Sequence, residues 1–320
     1  MLCSLADNLF WLGRYLKRAD HMIRLFEVNL EIMTNSNYHL TEYRWWLMLT
    51  SLGIVPQPNK SSTREDEIFK LYLFDEKNYQ SALYCIAQAR MNARQLRSII
   101  SSEIFERINE LFLAVKSATP QEDQDSRWHD FFKKTKSQLN LIQGSTQEVM
   151  LRDDGWAFLQ LGKYLEHLGS VASLLNVFFS DYQDQVGSQV KPSDYIEWVG
   201  LLKSVSAFES YLKVHTNNLK PELIVDLLVF SQVFPQSIRY SVDKIFSALK
   251  KIKECSKQPM QDQEIHEALH GLEVVSKSGG EEFIHSNRGV YFNEIQRKCI
   301  HLNNLIYKTY IEFPNSYFVN

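Results

Sequence analysis

The chain has 320 residues, with 35 lysines and arginines against 38 aspartates and glutamates, so its net charge is −3. Apolar residues at 44% and charged residues at 23% exclude wholesale disorder, and only 12 glycines and 8 prolines argue against collagen-like or turn-rich all-β architectures. A near-neutral chain carries no overall field for nucleic acid or anionic lipid, so neither is expected as a partner.

Hydrophobic spacing is helical nearly everywhere, which predicts an all-α, multi-helix bundle. Leu5, Leu9, Leu12, Leu16, Ala19, Ile23, Phe26 and Leu30 alternate steps of four and three, a single stripe along one long helix. A second stripe runs Ala82, Ile86, Ala89, Ala93, Leu96, Ile100. Breaks are expected at Val55 to Glu65, Ala118 to Ser126, Asp181 to Ser193, Ser256 to Gln263 and Ser276 to Gly280, where Pro, Gly, Ser and charged residues gather. The first residues lack a charged stretch followed by an apolar run, and no window of about 18 uncharged apolar residues occurs, so neither a signal peptide nor a membrane span is expected. Cys3, Cys85, Cys255 and Cys299 are too scattered for a CxxC pair or a disulfide scaffold. A soluble protein of a reducing, cytoplasmic compartment is the expectation.

The chain also resembles itself. Leu12-Gly13-Arg14-Tyr15-Leu16 aligns with Leu161-Gly162-Lys163-Tyr164-Leu165 at an offset of 149. Trp46 aligns with Trp198 at an offset of 152, and Phe74 through Ser81 with Phe230 through Ser237 at an offset of 156. Three blocks in one order predict two similar helical halves, about 1–148 and 149–320, packed as one body over 1–320.

Two constellations carry chemistry. Arg14 and Arg18 share one helix face, and Arg90, Arg94 and Arg97 at i, i+4, i+7 share another. Asp20, Asn92 and Glu103 lie near them in sequence, and Arg152 precedes the helix that carries Glu166 and His167. If the helices of Arg14 and Arg90 pack together, guanidinium forks converge into a site for carboxylate or phosphate. The competing expectation is that these arginines pair with neighbouring carboxylates. The second constellation, His266-Glu267-Ala268-Leu269-His270, is a literal HExxH, which on a helix holds Zn²⁺ with the Glu as general base. Glu281, Glu282 or Glu294 would have to serve as third ligand, and Gly271 is expected to cut the helix short. No GxSxG elbow, Walker loop or GxGxxG stretch is present, so no cofactor is expected. Cys85, Trp11, Trp45, Trp46 and Trp156 read as core residues, and His21 and His167 as packing histidines in related neighbourhoods.

The opening Leu5-Ala6-Asp7-Asn8-Leu9-Phe10-Trp11-Leu12-Gly13-Arg14-Tyr15-Leu16-Lys17-Arg18-Ala19-Asp20 resembles that of bacterial alpha-E domain proteins, approximately (V/A)-A-(D/E)-x-L-Y-W-M-G-R-Y-(L/I)-E-R-A-E. Ala89 to Arg94 with Ile100 to Glu103, Leu151 to Phe158, and Val229 to Ser237 resemble later blocks of the same family in the same order. The resemblance implies an all-α fold and an accessory or partner-binding role beside ATP-grasp-like and transglutaminase-like proteins, in a peptide or amide-bond synthesis system. It also implies an anionic or peptide ligand. The family's polar positions fall on Arg14, Arg18, Asp20, Arg90, Asn92, Arg94, Glu103, Arg152 and Glu166. Lys17 and Met91 stand where the family usually has Glu, and His167-Leu168-Gly169 replaces Arg-Ala-(Asp/Glu). An enzyme in which Asp20, Glu103 and Glu166 meet the arginines is the alternative, with the zinc hydrolase and a pure scaffold as further readings.

Overall fold

Two long helices organise the molecule because each carries an apolar stripe too long to be buried by one neighbour. They are α1 (Cys3–Asn35) and α7 (Asp154–Gln183). The computed structural model describes residues 3–35, 41–54, 65–118, 125–183, 192–216, 219–255, 263–277 and 288–311. The described residues are helical and contain no strand. None of their helices is long and apolar enough to cross a membrane.

After α1 come α2 (Thr41–Ser51), the short α3 (Glu65–Phe69) with a π-helical turn (Lys70–Phe74), α4 (Ala82–Gln95), α5 (Ser102–Ser117) and α6 (Asp125–Val149). After α7 come α8 (Pro192–Ser204), α9 (Phe208–His215), the short α10 (Pro221–Val225) with a π-helical turn (Asp226–Phe230), α11 (Ile238–Cys255), α12 (Gln263–Lys277) and α13 (Arg288–Ile306). The helices stop at each expected break. The segments 55–64, 119–124, 184–191, 256–262 and 278–287 lie outside the described residues. Gly271 does not end α12, contrary to expectation; the helix runs on to Lys277, because an interior glycine costs only about 1 kcal/mol while Ile265, Leu269 and Leu272 are buried.

Helices α1 and α7 pack on each other, α4 and α6 flank α1, and α11 and α13 flank α7. Each half also lends its second helix to the other: α8 packs on α1 and α2 on α7. The centre of the α1–α7 crossing is set by two glycines. A Cβ on Gly13 would overlap the Leu159 carbonyl, and one on Gly162 would overlap the Phe10 carbonyl. Backbone lies against backbone at both points, so only residues without a side chain fit. The two contacts are reciprocal at the offset of 149 read from the sequence.

Other local structures also recur between the halves. The π-helical turns start at Lys70 and Asp226, 156 residues apart. Ser81 Oγ donates to the Asp75 carbonyl and accepts from Tyr84 N–H; Ser237 Oγ donates to the Ser231 carbonyl and accepts from Tyr240 N–H. These serines cap the helices that follow. The tryptophan match needs correction. Trp45 and Trp198 are the buried pair, each 3% exposed, on Phe26 and Phe179, whereas Trp46 is 45% exposed. The true offset is 153, and Trp46 is no core anchor.

Candidate functional site

At the α1–α7 crossing, Arg14 and Arg18 sit one turn apart beside the buried stripe and reach across to α7. Arg14 Nε donates to Glu166 Oε2 at 2.9 Å, Arg18 Nε to Oε1 at 2.6 Å, and Arg18 Nη2 to Oε2 at 3.0 Å. Arg14 Nη1 donates to Asn303 Oδ1 of α13 at 2.8 Å, and its guanidinium lies 4.9 Å from the Trp11 ring centre. Burial alone would raise the Glu166 carboxyl, but the two guanidiniums outweigh it and hold it below the ordinary value. Two cations enclose one carboxylate, so the cluster keeps one net positive charge. Arg14 Nη2 and Arg18 Nη1 have no hydrogen bond to the described residues, which leaves two donors unclaimed.

Arg14 and Arg18 line a cavity of about 390 Å³, within the size range of small-ligand pockets. Its walls come from five places: α1 (Arg14, Arg18, His21, Met22), the end of α2, the turn before α4 (Tyr79, Gln80), α7 (Glu166, Gly169, Ser170, Ser173) and α13 (Cys299, Ile300, Asn303). The α2 end is shaped by Gly53, whose φ of +73° lets Gly53 N–H reach the Thr50 carbonyl and Ile54 N–H the Leu49 carbonyl. Leu52, Ile54, Leu165 and Met22 add apolar lining to the same cavity.

Of the sequence candidates, Arg14, Arg18 and Glu166 meet here. Asp20, two residues beyond Arg18 and so on the other side of α1, faces a neighbouring chamber, where Lys17 donates to it at 3.3 Å and Arg24 at 2.8 Å. The expected convergence of Arg90, Arg94 and Arg97 with Arg14 does not occur, although α4 does pack on α1. The reason is geometric: α4 turns Ala82, Cys85, Ile86, Ala89 and Ala93 into the core, and residue 90 lies about 100° round the helix from residue 89. Arg90 donates to Asn109 and covers Phe112 of α5, Arg97 covers Phe105, and Arg94 is exposed. Asn92 is half-buried on the same helix. Glu103 pairs with Arg107 and accepts from Ser145 on the outer surface. Arg152 lies 3.8 Å from the Trp156 ring centre and donates to Gln147, a cap over the start of α7. The carboxylates Asp20, Glu103 and Glu166 therefore have separate sets of partners.

The HExxH residues point away from the core. His266 and Glu267 are exposed, Gln263 donates to Glu267, and His270 is 73% exposed with Nδ1 3.4 Å from Glu273. Glu294 is ion-paired with Lys298 on α13, and Glu281 and Glu282 lie outside the described residues. Among the described residues no group of three His, Cys, Asp or Glu is placed to hold a metal ion.

Residues 1–311 match Alpha-E, "a predicted alpha-helical domain with a conserved ER motif". The chain belongs to the Alpha-E family. An uncharacterised protein of Mycobacterium bovis is 21% identical over 269 residues, covering 76% of this chain and 29% of that protein. Two uncharacterised proteins of Mycobacterium tuberculosis are 21% and 20% identical over the same length and shares. The Alpha-E chain here thus spans under a third of the length of the curated relatives it matches. No solved structure matches it. In the opening that this Alpha-E chain resembles, the Glu-Arg pair falls on Lys17-Arg18, and in the stretch aligned 149 residues on it falls on Glu166-His167. Each stretch carries half of the pair, and those halves, Arg18 and Glu166, are bonded to each other.

Sequence reasoning missed His21, Asn303 and the Gly53 turn. Asn303 lies 289 residues from Arg14, and no local pattern marks it. Gly53 did carry a signal, a glycine just past an apolar helix.

Proposed function

We propose that this Alpha-E chain is a binding protein of a peptide or amide-bond synthesis or modification system, acting beside ATP-grasp-like and transglutaminase-like partners. In this reading its pocket at the join of two copies of one helical unit holds a carboxylate-bearing ligand of amino-acid or short-peptide size. The observation that carries the reading is the pair of unclaimed guanidinium nitrogens, Arg14 Nη2 and Arg18 Nη1, on two side chains that line a 390 Å³ cavity with both polar and apolar walls. A ligand carboxylate bridging them needs no displacement of Glu166, and Glu166 orients both forks for it. Glu166 itself, held ionised between two arginines, is poorly suited to give up or take a proton near neutrality.

The test is purification from native lysate, with mass spectrometry of the proteins and small molecules retained, for the wild type and Arg14→Gln. Glu166 keeps its two Arg18 bonds in that variant, so the fold should persist by circular dichroism. A hydrogen bond to a charged group contributes about 1.5–3 kcal/mol, so retention of a carboxylate ligand should fall roughly ten- to a hundredfold. A wild type that retains neither ligand nor partner, or a variant that retains as much as the wild type, contradicts the proposal.

A further inference from the structure

The crossing has a second face, with a second cavity of about 120 Å³. Part of its lining corresponds to that of the first. Ser204, Val205 and Ser206 line it as Ser51, Leu52 and Gly53 line the other, 153 residues apart. Gln236 stands for Gln80 at the offset of 156, and Asn140 and Gln143 of α6 stand for Ile300 and Asn303 of α13. Ser206 even repeats the backbone of Gly53, with φ at 55°, and its hydroxyl accepts from Arg24 at 2.8 Å.

The charges do not correspond. At the offset of 149, Arg14 maps to Lys163, Arg18 to His167 and Glu166 to Lys17. Where the first face has a carboxylate between two guanidiniums, the second has an ammonium between an ammonium and an imidazole. Asp20 is the one carboxylate among the described residues of the lining, and Lys17 and Arg24 already share it. Lys163 has no ion pair among the described residues, and burial, then the charge of Lys17, pushes its pKa down to about 8. Lys17 and Arg24 thus face Asp20 in the lining, and Lys163, which shares the adjoining chamber with Lys17, adds a third cation behind them. The imidazoles of His21 and His167, 5% and 4% exposed, each retain a ring nitrogen without a hydrogen-bond partner. A buried excess of positive charge is costly unless something anionic meets it.

We propose that this chamber binds a phosphate group, which takes the place of the carboxylate that Lys17 displaces. With Lys163 behind the wall, the local excess of two charges suits a dianion. Lys17 and Arg24 of α1, the amides of Asn140 and Gln143 of α6 and the hydroxyl of Ser206 at the end of α8 surround the space, which fits a tetrahedral group better than a planar carboxylate. The volume equals roughly eight to twelve water-sized positions, room for one phosphoryl group and not for a nucleotide. Arg24 and Asn140, whose mutual hydrogen bond is exposed, form the solvent edge.

The experiment is calorimetric titration of full-length protein with inorganic phosphate at fixed ionic strength, beside acetate and a simple phosphomonoester. Phosphate should bind saturably with one site, and acetate at least tenfold more weakly. Equal binding of the phosphomonoester identifies a terminal phosphoryl group as the occupant; binding of inorganic phosphate alone identifies the free ion. Either supports the chamber. Lys17→Glu restores the missing carboxylate and should weaken phosphate at least tenfold. Lys116→Ala, which removes an exposed lysine paired with Glu76, should leave phosphate binding unchanged. Arg24→Gln, which removes a cation of the lining, should show a loss of the same kind as Lys17→Glu and stands in for it if that variant does not fold. No saturable phosphate binding by the wild type, or wild-type affinity in Arg24→Gln, overturns the proposal.

Discussion

On one face of the α1–α7 crossing, Arg14 and Arg18 close on Glu166; on the other, Lys163, His167 and Lys17 occupy the corresponding positions. The two faces share one crossing, set by the reciprocal Gly13 and Gly162 contacts. The comparison teaches that the crossing is specified by glycine and apolar stripe, while the polar pairs above it are free to diverge. One face has kept its ion pair and a pocket large enough for an organic ligand. The other has become a small, positively charged chamber. Breaking either face separately shows how far they have parted.

The largest effect is expected from Glu166→Ala. It leaves the half-buried Arg14 and Arg18 beside each other without the buried carboxylate that joins them, and removing one partner of a buried pair typically costs about 3–5 kcal/mol. Urea unfolding should report a fall of that size, and a loss under about 1 kcal/mol would mean that solvent already screens the pair. Acid should come next, through the other face. Burial first, and Lys17 second, lowers the His21 pKa from 6.5 to about 4. The unfolded chain therefore takes up a proton on this histidine between pH 6.5 and 4 while the folded one does not, so stability falls as pH drops through that window. The loss is on the order of 3 kcal/mol. His167 shifts in the same direction, also mainly by burial. His21→Gln should flatten the pH dependence of unfolding, and an unchanged slope would contradict the assignment. The third effect is Gly162→Ala, which sets a Cβ against the Phe10 carbonyl. Backbone cannot rotate away as a side chain does, so the helices must part, at a cost of about 1–3 kcal/mol. Because the crossing serves both faces, this variant should weaken ligand retention and phosphate binding together.

Much of the fold was legible because helical stripes and glycines are local signals. The stripe from Leu5 to Leu30, the glycines at 13 and 162, and the capping serines at 81 and 237 all act where the sequence puts them. The site was legible only in part. Arg14, Arg18 and Glu166 stood out because they flank the glycines of the repeated block. What local spacing does not encode is which flank of α4 faces α1, and that choice sends Arg90 and Arg97 to α5. Nor does it reveal Asn303, brought in by α13 from the far end of the chain. The HExxH shows the opposite failure: a pattern with the right spacing lies on the outer face of α12, where His270 meets only Glu273. The tryptophans show how a one-residue error in offset reverses a burial assignment, since Trp45 and Trp46 differ by a 100° turn of the helix.

The claim that the two faces differ by one carboxylate is tested most directly by the unfolding free energy of Lys17→Glu in phosphate-free buffer. The account predicts a clearly smaller loss than that of Glu166→Ala, because the new carboxylate relieves the repulsion between Lys17 and Lys163 while Arg24 still holds Asp20. A loss approaching that of Glu166→Ala would contradict it and would mean that Lys17 is already balanced where it stands.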